Sequence, residues 1–519
     1  MKNKRWKAML LAVLLFCSLV AHPGDALVSA AILDDTAGLM RSVTADGIVL
    51  LKNEPAASAL PLSPSDKVAL FGVGQITLLA GGGGSAEIYP PYVVSGLDGM
   101  RNAAANGKFS LVEDLATAYK TYADAGNQDE MTLTDQQVQS VANKADTAVI
   151  YLSRFSSEGS DRTREATTYR SYTPYYSTVE NPVTFQYSTS YYLSNKEKAM
   201  INQVKAAFDK VIVVLNVPGA TDTSWFVNDD EIDAALLAWL PGMEGGDAIA
   251  DVLCGNVNPS AKLPITLASS LDDYESTKNF GTLTTTYQED IFVGYRQFET
   301  FDPAYSKVNY PFGYGLSYTN FSISPTVTVV DGDIKIQAVV KNTGSNAGRE
   351  VVQAYFSAPQ KGAGGAKLSK PAKELACFGK TNTLAPGESQ TLTLSFPISD
   401  MASYDDTGAT GHKSAYVLEA GDYQIFVGNS IKSAGDNGVR YTYHQTSTSV
   451  SEQLTQCLTP VTSSQKLEAD GSYSTISAGT STAATPPNTN DPYAQPADAL
   501  SFADVKADGM ISRKVADEA

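Results

Sequence analysis

Histidine is scarce in this 519-residue chain, and its scarcity excludes several kinds of catalytic site. There are three histidines, His22, His412 and His444, and they lie far apart in the sequence. Histidine-based zinc sites and Ser-His-Asp triads need such residues brought together, and the G-x-S-x-G nucleophile motif is also absent. We therefore expect no metal site and no cofactor.

Cysteine is also sparse, with four residues in the whole chain. Cys17 lies in the apolar N-terminal segment, while Cys254, Cys377 and Cys457 are far apart and form no C-x-x-C motif. This spacing indicates neither a disulfide framework nor a metal-ligand cluster.

Long apolar runs are missing except at the N-terminus, where a basic start precedes the apolar stretch Met9–Ala21. This stretch is too short to span a bilayer as a stable anchor, and small residues follow it. We predict a signal peptide over residues 1–30, with cleavage after Ala26 or Ala30, and hence a secreted protein without a membrane anchor.

Positive charge is in deficit, because 38 Lys and Arg residues face 56 Asp and Glu residues, for a net charge of -18. Nucleic acids and anionic membranes would be repelled by such a chain, which favours neutral ligands. The composition, 43% hydrophobic and 18% charged, is typical of a globular protein of two or three domains.

Residues 31–312 alternate short apolar runs with longer helical patterns. The runs KVALFG (Lys67–Gly72), TAVIYL (Thr147–Leu152) and KVIVVLNV (Lys210–Val217) are continuously apolar, as expected for strands covered on both faces by helices. We predict an α/β fold with a mainly parallel sheet. The stretch Ser194–Glu197 predicts a capping box at a helix start.

The pattern changes in the second half of the chain. From about Asp331, apolar and polar residues alternate between Gly, Pro and Asn turns, which predicts an antiparallel β-sandwich within residues 313–445. Residues 446–519 are rich in Ser, Thr, Pro and Ala, and we predict a linker with a short amphipathic tail.

The candidate catalytic residue is Glu158, in the stretch SSEGSDR that follows the predicted strand at Thr147–Leu152. A loop at a strand end can bring a carboxyl group to a leaving oxygen, and Gly159 allows close approach to a substrate. Asp161 and Arg162 could form a local ion pair that shapes the loop. The alternative is that Glu158 is one more solvated glutamate.

Two other loops invite functional interpretations. The glycine-rich stretch Gly81–Tyr92 continues into Pro90 and Pro91 where a phosphate-binding loop would open a helix, so it is either a flexible loop or a close approach to an uncharged ligand. The aromatic-rich segment Tyr169–Tyr192 could stack on sugar rings or could pack on its own aromatics. Trp225 and Trp239 are expected to fill the core.

Several stretches in fixed order resemble one family, glycoside hydrolase family 3 of the β-glucosidase type. The resemblance covers roughly residues 33–430 and includes the family's α/β-sandwich domain and its fibronectin type III-like domain. The stretches that carry it are GIVLLKNE (Gly47–Glu54), LPL (Leu60–Leu62), the Gly81–Pro90 loop, SSEGSDR, YYLSNKEK, PGMEGGDAIADVLCGNVNPSAKLPIT, VGYRQFE and YPFGYGLSYTNF.

The resemblance implies that two different domains supply the two catalytic residues. In this family a (β/α)8 barrel supplies an Asp nucleophile, and the α/β-sandwich domain lends the acid/base glutamate from a loop, the position that Glu158 occupies here. A barrel takes about 250 residues, and we expect it to be missing from this chain. The chain then resembles a family member cut short, a split enzyme half or a degenerate form.

We therefore predict a glycosidase portion that acts on β-glucosides or oligosaccharides, inactive alone, with a separate barrel chain as its partner. The alternative is a non-catalytic module that binds carbohydrate or another protein, in which Glu158 has no catalytic role.

Overall fold

The computed structural model describes residues 23–54, 58–165, 168–172, 184–281, 285–456, 460 and 462–478. Most of the predicted signal peptide and most of the predicted C-terminal linker and tail lie outside the described residues. The first domain contains the strands β1 (Val49–Asn53), β2 (Lys67–Phe71), β3 (Ser110–Val112), β4 (Thr147–Ser153), β5 (Tyr169–Tyr172), β6 (Phe185–Ser188), β7 (Lys210–Asn216), β8 (Ala234–Leu237), β9 (Leu267–Ala268) and β10 (Val308–Tyr310).

Six of these strands form one sheet in the order β1-β8-β7-β4-β2-β3. The pairs β2–β3, β2–β4, β4–β7 and β7–β8 are parallel, and the edge strand β1 is antiparallel to β8. The prediction of a mainly parallel sheet is thus confirmed. The three continuously apolar runs of the sequence form β2, β4 and β7, which are neighbours in the interior of the sheet. Helices cover such strands on both faces, which is why their residues are apolar throughout. The remaining strands form two separate two-stranded sheets, β5–β6 and β9–β10.

Helices cover both faces of the sheet. The helices of this domain are α1 (Pro23–Gly47), α2 (Gly96–Ala105), α3 (Ala116–Asp124), α4 (Asp135–Ala142), α5 (Asn195–Ala207), α6 (Gly245–Leu253) and α7 (Tyr295–Phe301). Of these, α7 lies away from the sheet, where Tyr295 packs with Tyr355 of the second domain. Short 3-10 turns span Val73–Gln75, Gly84–Ala86, Leu271–Asp273 and Glu275–Lys278. No helix within the described residues is both long and apolar enough to cross a bilayer.

Each face of the sheet has its own apolar core. On one face, Val138 of α4 and Val204 of α5 pack against the sheet, and on the other Met100 of α2 and Ile249 of α6 do so. Helix α5 starts with the predicted capping box, because Ser194 Oγ accepts from the backbone N–H of Glu197 and the Glu197 carboxylate accepts from that of Ser194.

Asn216, at the carboxyl end of β7, ties together the loops that follow the central strands. Its fully buried Oδ1 accepts from the backbone N–H of Leu79 at 2.7 Å and from Ser153 Oγ at 3.0 Å. Its Nδ2 donates to the carbonyls of Leu79 and Trp239, at 3.0 and 2.7 Å. Carboxyl ends of parallel strands meet at one edge of a sheet, so this amide holds the edge from which ligand-binding loops usually project.

The second domain is an antiparallel β-sandwich, as predicted. Its elements are β11 (Phe321–Val330), β12 (Asp333–Asn342), β13 (Val351–Ser357), β14 (Glu374–Lys380), β15 (Ser389–Pro397), β16 (Ser403–Asp405), β17 (Ala415–Leu418), β18 (Gly421–Gly428), β19 (Tyr441–Gln445), α8 (Ile431–Asp436) and the 3-10 turns Ala363–Gly365 and Ile398–Met401. One sheet has the order β11-β12-β15 and the other β14-β13-β18-β19, and the core between them includes Ile336, Val352 and Ile425.

Ion pairs join the two domains. The Asp46 carboxylate accepts from Arg349 at 2.7 Å and from Lys380 at 3.1 Å, and Lys262 pairs with Glu350 at 2.8 Å. Both cations around Asp46 favour its charged form and hold the pKa of this carboxyl below its usual range, although partial burial opposes them.

The structure differs from the predicted linker over part of residues 446–478. Strand β20 (Ser449–Gln453) pairs with β17 in the sheet β16-β17-β20, and β21 (Ser464–Leu467) pairs with β22 (Tyr473–Ile476). Composition misleads here because ladder hydrogen bonds come from the backbone, which a Ser- and Thr-rich segment offers as well as an apolar one.

Candidate active site

Glu158 lies at the tip of a tight turn that follows β4. Ser157 and Ser160 exchange two backbone hydrogen bonds, Ser157 N–H to Ser160 O at 3.1 Å and Ser160 N–H to Ser157 O at 2.9 Å. Gly159 has φ 64°, a left-handed conformation that glycine adopts without steric cost. Within this turn the Glu158 side chain is exposed, so the structure places the predicted catalytic carboxyl at the surface and not inside the fold.

The glycine-rich loop Gly81–Pro90 packs against this turn. The backbone N–H of Ser85 donates to Glu158 Oε2 at 3.0 Å. A Cβ on Gly84 would lie 2.8 Å from Glu158 Cβ, and a Cβ on Gly83 would lie 3.1 Å from Ser157 Cβ. The two roles predicted for this loop, flexibility and a close approach to an uncharged ligand, stay predictions. What the structure shows is a close approach of its backbone to the turn that carries Glu158.

The hydrogen bond from Ser85 determines how Glu158 titrates. A backbone N–H that donates to a carboxylate favours its charged form, so it holds the pKa of Glu158 below the ordinary value. Because the side chain is exposed, burial does little to oppose this effect. In this structure Glu158 is therefore an ionised carboxylate at neutral pH, which is the form that acts as a base.

Arg162 does not pair with Asp161, so the predicted ion pair is wrong. The Arg162 guanidinium donates to the carbonyls of Ala220 and Ser190, both at 3.0 Å, while the Asp161 side chain is exposed. Carbonyl oxygens of neighbouring loops are closer to the buried guanidinium than the solvated carboxylate is. Burial and the nearby charge of Arg154 lower the pKa of Arg162.

Sequence reasoning missed Arg154, which anchors the same region. Its guanidinium makes a bidentate ion pair with Glu197, at 2.8 and 2.9 Å, and both side chains are buried. Its Nε donates to the Ser190 carbonyl at 3.0 Å, the same oxygen that Arg162 contacts. A charged residue at the end of a buried strand was the available signal, but its partner lies 43 residues away.

Glu130 was also missed. Its buried carboxyl accepts from the backbone N–H groups of Val73 at 3.0 Å and Met131 at 2.9 Å. Burial disfavours the charged form and raises the pKa of Glu130 to about 8, more than these two hydrogen bonds lower it. No local pattern marks this residue, because its burial results from packing beneath the loop after β2.

The described aromatic residues of the segment Tyr169–Tyr192 favour packing over sugar stacking. Tyr187 and Phe185 are buried and form a cluster with Phe155, and Tyr172 packs against the same cluster. Tyr175 and Tyr176 lie outside the described residues. Trp225 and Trp239, which were expected in the core, are partly buried and pack against one of the two core clusters.

The described cysteines do not pair with each other. Cys254 and Cys377 are free thiols, and Cys457 lies outside the described residues. Across the described part of the chain, no group of three or more His, Cys, Asp and Glu side chains is arranged to hold a metal ion.

Two family models match the chain. The glycosyl hydrolase family 3 C-terminal domain matches residues 48–318, and the fibronectin type III-like domain matches residues 350–431. Among curated relatives, beta-glucosidase A of Butyrivibrio fibrisolvens is 40% identical over 454 residues, which is 82% of this chain and 53% of the relative. A beta-glucosidase of Ruminococcus albus is 39% identical over 435 residues, 81% of this chain and 42% of the relative.

Solved structures of beta-glucosidases also resemble this chain. The beta-glucosidase of Paenibacillus barengoltzii superposes with a TM-score of 0.72 at 38% identity, over 85% of this chain and 47% of that chain. Beta-glucosidase 3B of Thermotoga neapolitana, in complex with glucose, has a TM-score of 0.67 at 34% identity, over 81% and 55%. The chain spans about half the length of the relatives it matches. This chain belongs to glycosyl hydrolase family 3, with the family's C-terminal α/β domain followed by a fibronectin type III-like domain.

Proposed function

We propose that this chain supplies Glu158 as the general acid/base of a retaining β-glucosidase, and that a (β/α)8 barrel domain supplies the nucleophile. The observation that carries the proposal is the placement of Glu158: an exposed carboxylate at the tip of a tight turn, at the sheet edge where ligand-binding loops project, oriented by Ser85. The resemblance of SSEGSDR to the family's acid/base loop supports the same assignment.

The chemistry requires two carboxyl groups, about 5–5.5 Å apart, on either side of the glycosidic bond. The nucleophilic carboxylate attacks the anomeric carbon, and the bond to the leaving oxygen breaks as protonated Glu158 donates its proton to that oxygen. Glu158, now a carboxylate, then removes a proton from water, and this water displaces the nucleophile from the anomeric carbon. Glu158 ends protonated, ready for the next cycle.

The acid step needs a higher pKa than Glu158 has on this chain. The Ser85 hydrogen bond and full exposure keep the carboxyl ionised, whereas a general acid needs a pKa near the working pH. A docked barrel and a bound sugar would remove water from Glu158, and such desolvation raises the pKa of a carboxyl group. We therefore propose that the chain alone is inactive or nearly so, and that the barrel supplies both the nucleophile and the environment that protonates Glu158.

The test mixes the full chain with a separately expressed family 3 barrel domain and measures cleavage of an aryl β-glucoside. We expect turnover in the mixture only, and a loss of at least about a hundredfold in Glu158→Ala. The matched control is Glu165→Gln, which changes another exposed carboxylate close to the turn and should leave the rate unchanged.

Azide separates a catalytic from a structural role of Glu158. Azide attacks the glycosyl intermediate without a general base, so it should restore turnover of an activated aryl glucoside in Glu158→Ala. The acid/base assignment would be contradicted if Glu158→Ala turned over the aryl glucoside as fast as the unchanged chain when each is mixed with the barrel domain. It would also be contradicted if Glu158→Ala lost this turnover and azide did not restore it.

We also propose that the protein is exported, on the basis of the N-terminal sequence. The test is N-terminal sequencing of protein recovered outside the cell, which should begin at residue 27 or 31. Protein that stays inside the cell and begins at residue 1 would contradict export.

A further inference from the structure

A cleft of about 440 Å³ opens beside the turn that carries Glu158. The loop after β4 forms one of its walls, and the 3-10 turn Glu275–Lys278 contributes Ser276 and Thr277 to another. We call this 3-10 turn the wall turn. A single 3-10 turn has few hydrogen bonds of its own, so its position depends on the elements that it contacts.

Contacts within the first domain fix the start of the wall turn. The backbone N–H of Glu275 donates to the side-chain oxygen of Gln297 in α7 at 3.0 Å. The hydroxyl of the preceding residue, Tyr274, donates to the Thr266 carbonyl at 2.9 Å and accepts from the N–H of Ala268 at 3.0 Å. These bonds position the backbone where the wall turn begins, but none of them reaches the Glu275 side chain.

The Glu275 carboxylate is held by the β21–β22 hairpin, which lies beyond the residues that the two family models match. The Tyr473 hydroxyl donates to Glu275 Oε1, and Lys278 Nζ donates to both oxygens of this carboxylate, at 2.6 and 2.7 Å. Partial burial opposes the charged form of Glu275, but these donors favour it more and hold its pKa below the ordinary value. A hydrogen bond to a charged acceptor is about twice as strong as a neutral one, so Tyr473 is a strong contact of the wall turn.

The same hairpin is fixed to the second domain. Glu468, in the turn between β21 and β22, pairs with Lys361 at 3.1 Å and accepts from the Ser369 hydroxyl. Towards the first domain, the backbone N–H of Leu467 donates to the Gln288 carbonyl at 2.7 Å. The hairpin therefore bridges the two domains and connects the wall turn to the second one.

We propose that the β21–β22 hairpin holds the wall turn in place beside Glu158, and that Tyr473 is a positioning residue of this site that acts through Glu275. The proposal rests on the proposed function, because the position of the wall matters where Glu158 meets a substrate. It adds to that function an element outside both matched domains. Without the Tyr473 hydroxyl, the wall turn samples more positions and fewer molecules have a formed cleft, so the apparent affinity for substrate falls.

The first test compares hydrogen exchange of residues 275–281 in the full chain and in Tyr473→Phe. The Tyr473 side chain is exposed, so this substitution removes the hydroxyl and keeps the fold. We expect these amides to exchange about fivefold faster or more, because a hydrogen bond to a charged group is lost. The control Tyr443→Phe removes a hydroxyl that donates to Gln445 of the same strand, and it should not change this exchange.

Substitutions at Glu275 separate this contact from a general loss of structure. Glu275→Gln keeps a side-chain oxygen that accepts from Tyr473, whereas Glu275→Leu keeps none. We expect Glu275→Gln to exchange within about twofold of the unchanged chain and Glu275→Leu to exchange as fast as Tyr473→Phe. Adding Tyr473→Phe to Glu275→Leu should cause no further increase, because the bond is already absent.

The second test measures turnover of an aryl β-glucoside by each variant mixed with the barrel domain. Tyr473→Phe should raise KM by about fivefold and leave kcat within about twofold, because the wall turn must be ordered before substrate binds. A hairpin that only stabilises the fold would leave both constants unchanged at temperatures well below the melting temperature.

The proposal is overturned if residues 275–281 exchange in Tyr473→Phe as slowly as in the unchanged chain, or if Tyr443→Phe accelerates them equally. It is also overturned if Glu275→Gln and Glu275→Leu exchange equally fast, or if exchange rises in Tyr473→Phe while KM stays the same in an active mixture. A mixture without any turnover contradicts the acid/base function alone, and the exchange results then decide the role of the hairpin.

Discussion

The backbone N–H of Ser85 donates to Oε2 of Glu158 across 73 residues of sequence. The two loops meet because they follow β2 and β4, which are parallel neighbours in the sheet and end at the same edge. The approach is close enough that only glycine fits at position 84. The glycine-rich loop thereby positions the candidate acid/base and controls its charge.

We predict that the pKa of Glu158 on the isolated chain lies below the ordinary value of 4.5, as measured by NMR titration. The Ser85 hydrogen bond stabilises the charged form, so its contribution to stability is present above the unfolded pKa and is lost as the pH falls through the folded one. Ser85→Pro removes the N–H donor and should raise the pKa towards 4.5. Ser85→Ala keeps the N–H and removes only the hydroxyl, which lowers the pKa less, so it should raise the pKa by a smaller amount. An equal rise in the two variants would contradict the assignment to the backbone N–H.

We predict that Gly84→Ala disturbs Glu158 specifically. Gly84 has φ 64°, and an added Cβ would lie 2.9 Å from Glu158 Oε2. The matched control is Gly107→Ala, at φ 72° with open space around the new Cβ. Gly107→Ala should lose about 1 kcal/mol of unfolding free energy from backbone strain, measured with urea, and Gly84→Ala should lose more, because its Cβ also crowds Glu158. Only Gly84→Ala should also shift the Glu158 titration, and an identical shift in both would exclude steric contact as the cause.

We predict that Arg154→Leu lowers the free energy of unfolding by about 3–5 kcal/mol, because it leaves the buried Glu197 carboxylate without its partner. The control Arg101→Leu removes an exposed pair with Glu113 and should cost less than about 1 kcal/mol. Urea unfolding measures both. Similar losses in the two variants would show that the buried pair contributes no more than a surface one.

We predict that Glu130 makes the fold less stable as the pH rises. Its pKa of about 8 lies above the ordinary value of 4.5, so its contribution is fully present below about 4.5 and is lost as the pH rises through about 8. Glu130→Gln cannot ionise, and its unfolding free energy should fall less between pH 5 and pH 9 than that of the unchanged chain. Parallel pH profiles of the two proteins would contradict the buried, protonated state.

Local features of the fold were predictable because they depend on neighbouring residues. The apolar runs at β2, β4 and β7 predicted buried parallel strands, and Ser194 with Glu197 predicted the start of α5. The strands β20 to β22 were missed, because their pairing depends on backbone groups that composition does not distinguish.

The candidate site was only partly predictable. Its central residue, Glu158, was identified from a short motif and its resemblance to a family, and the structure places it at the surface. The partners of Arg162 were predicted wrongly, because the nearest residue in sequence, Asp161, faces solvent while carbonyls 28 and 58 residues away face the guanidinium.

The amino-acid sequence by itself determined the buried strands β2, β4 and β7, the start of α5, the change from an α/β pattern to an alternating β pattern, and the family. These follow from hydrophobic periodicity and short motifs within a few residues of one another. Only the tertiary structure decided that Ser85 holds Glu158, that Arg154 and Glu197 pair in the interior, and that an aromatic cleft lies beside the turn. These contacts join residues far apart in the chain, and they form only after the parallel strands bring their carboxyl ends to one edge of the sheet.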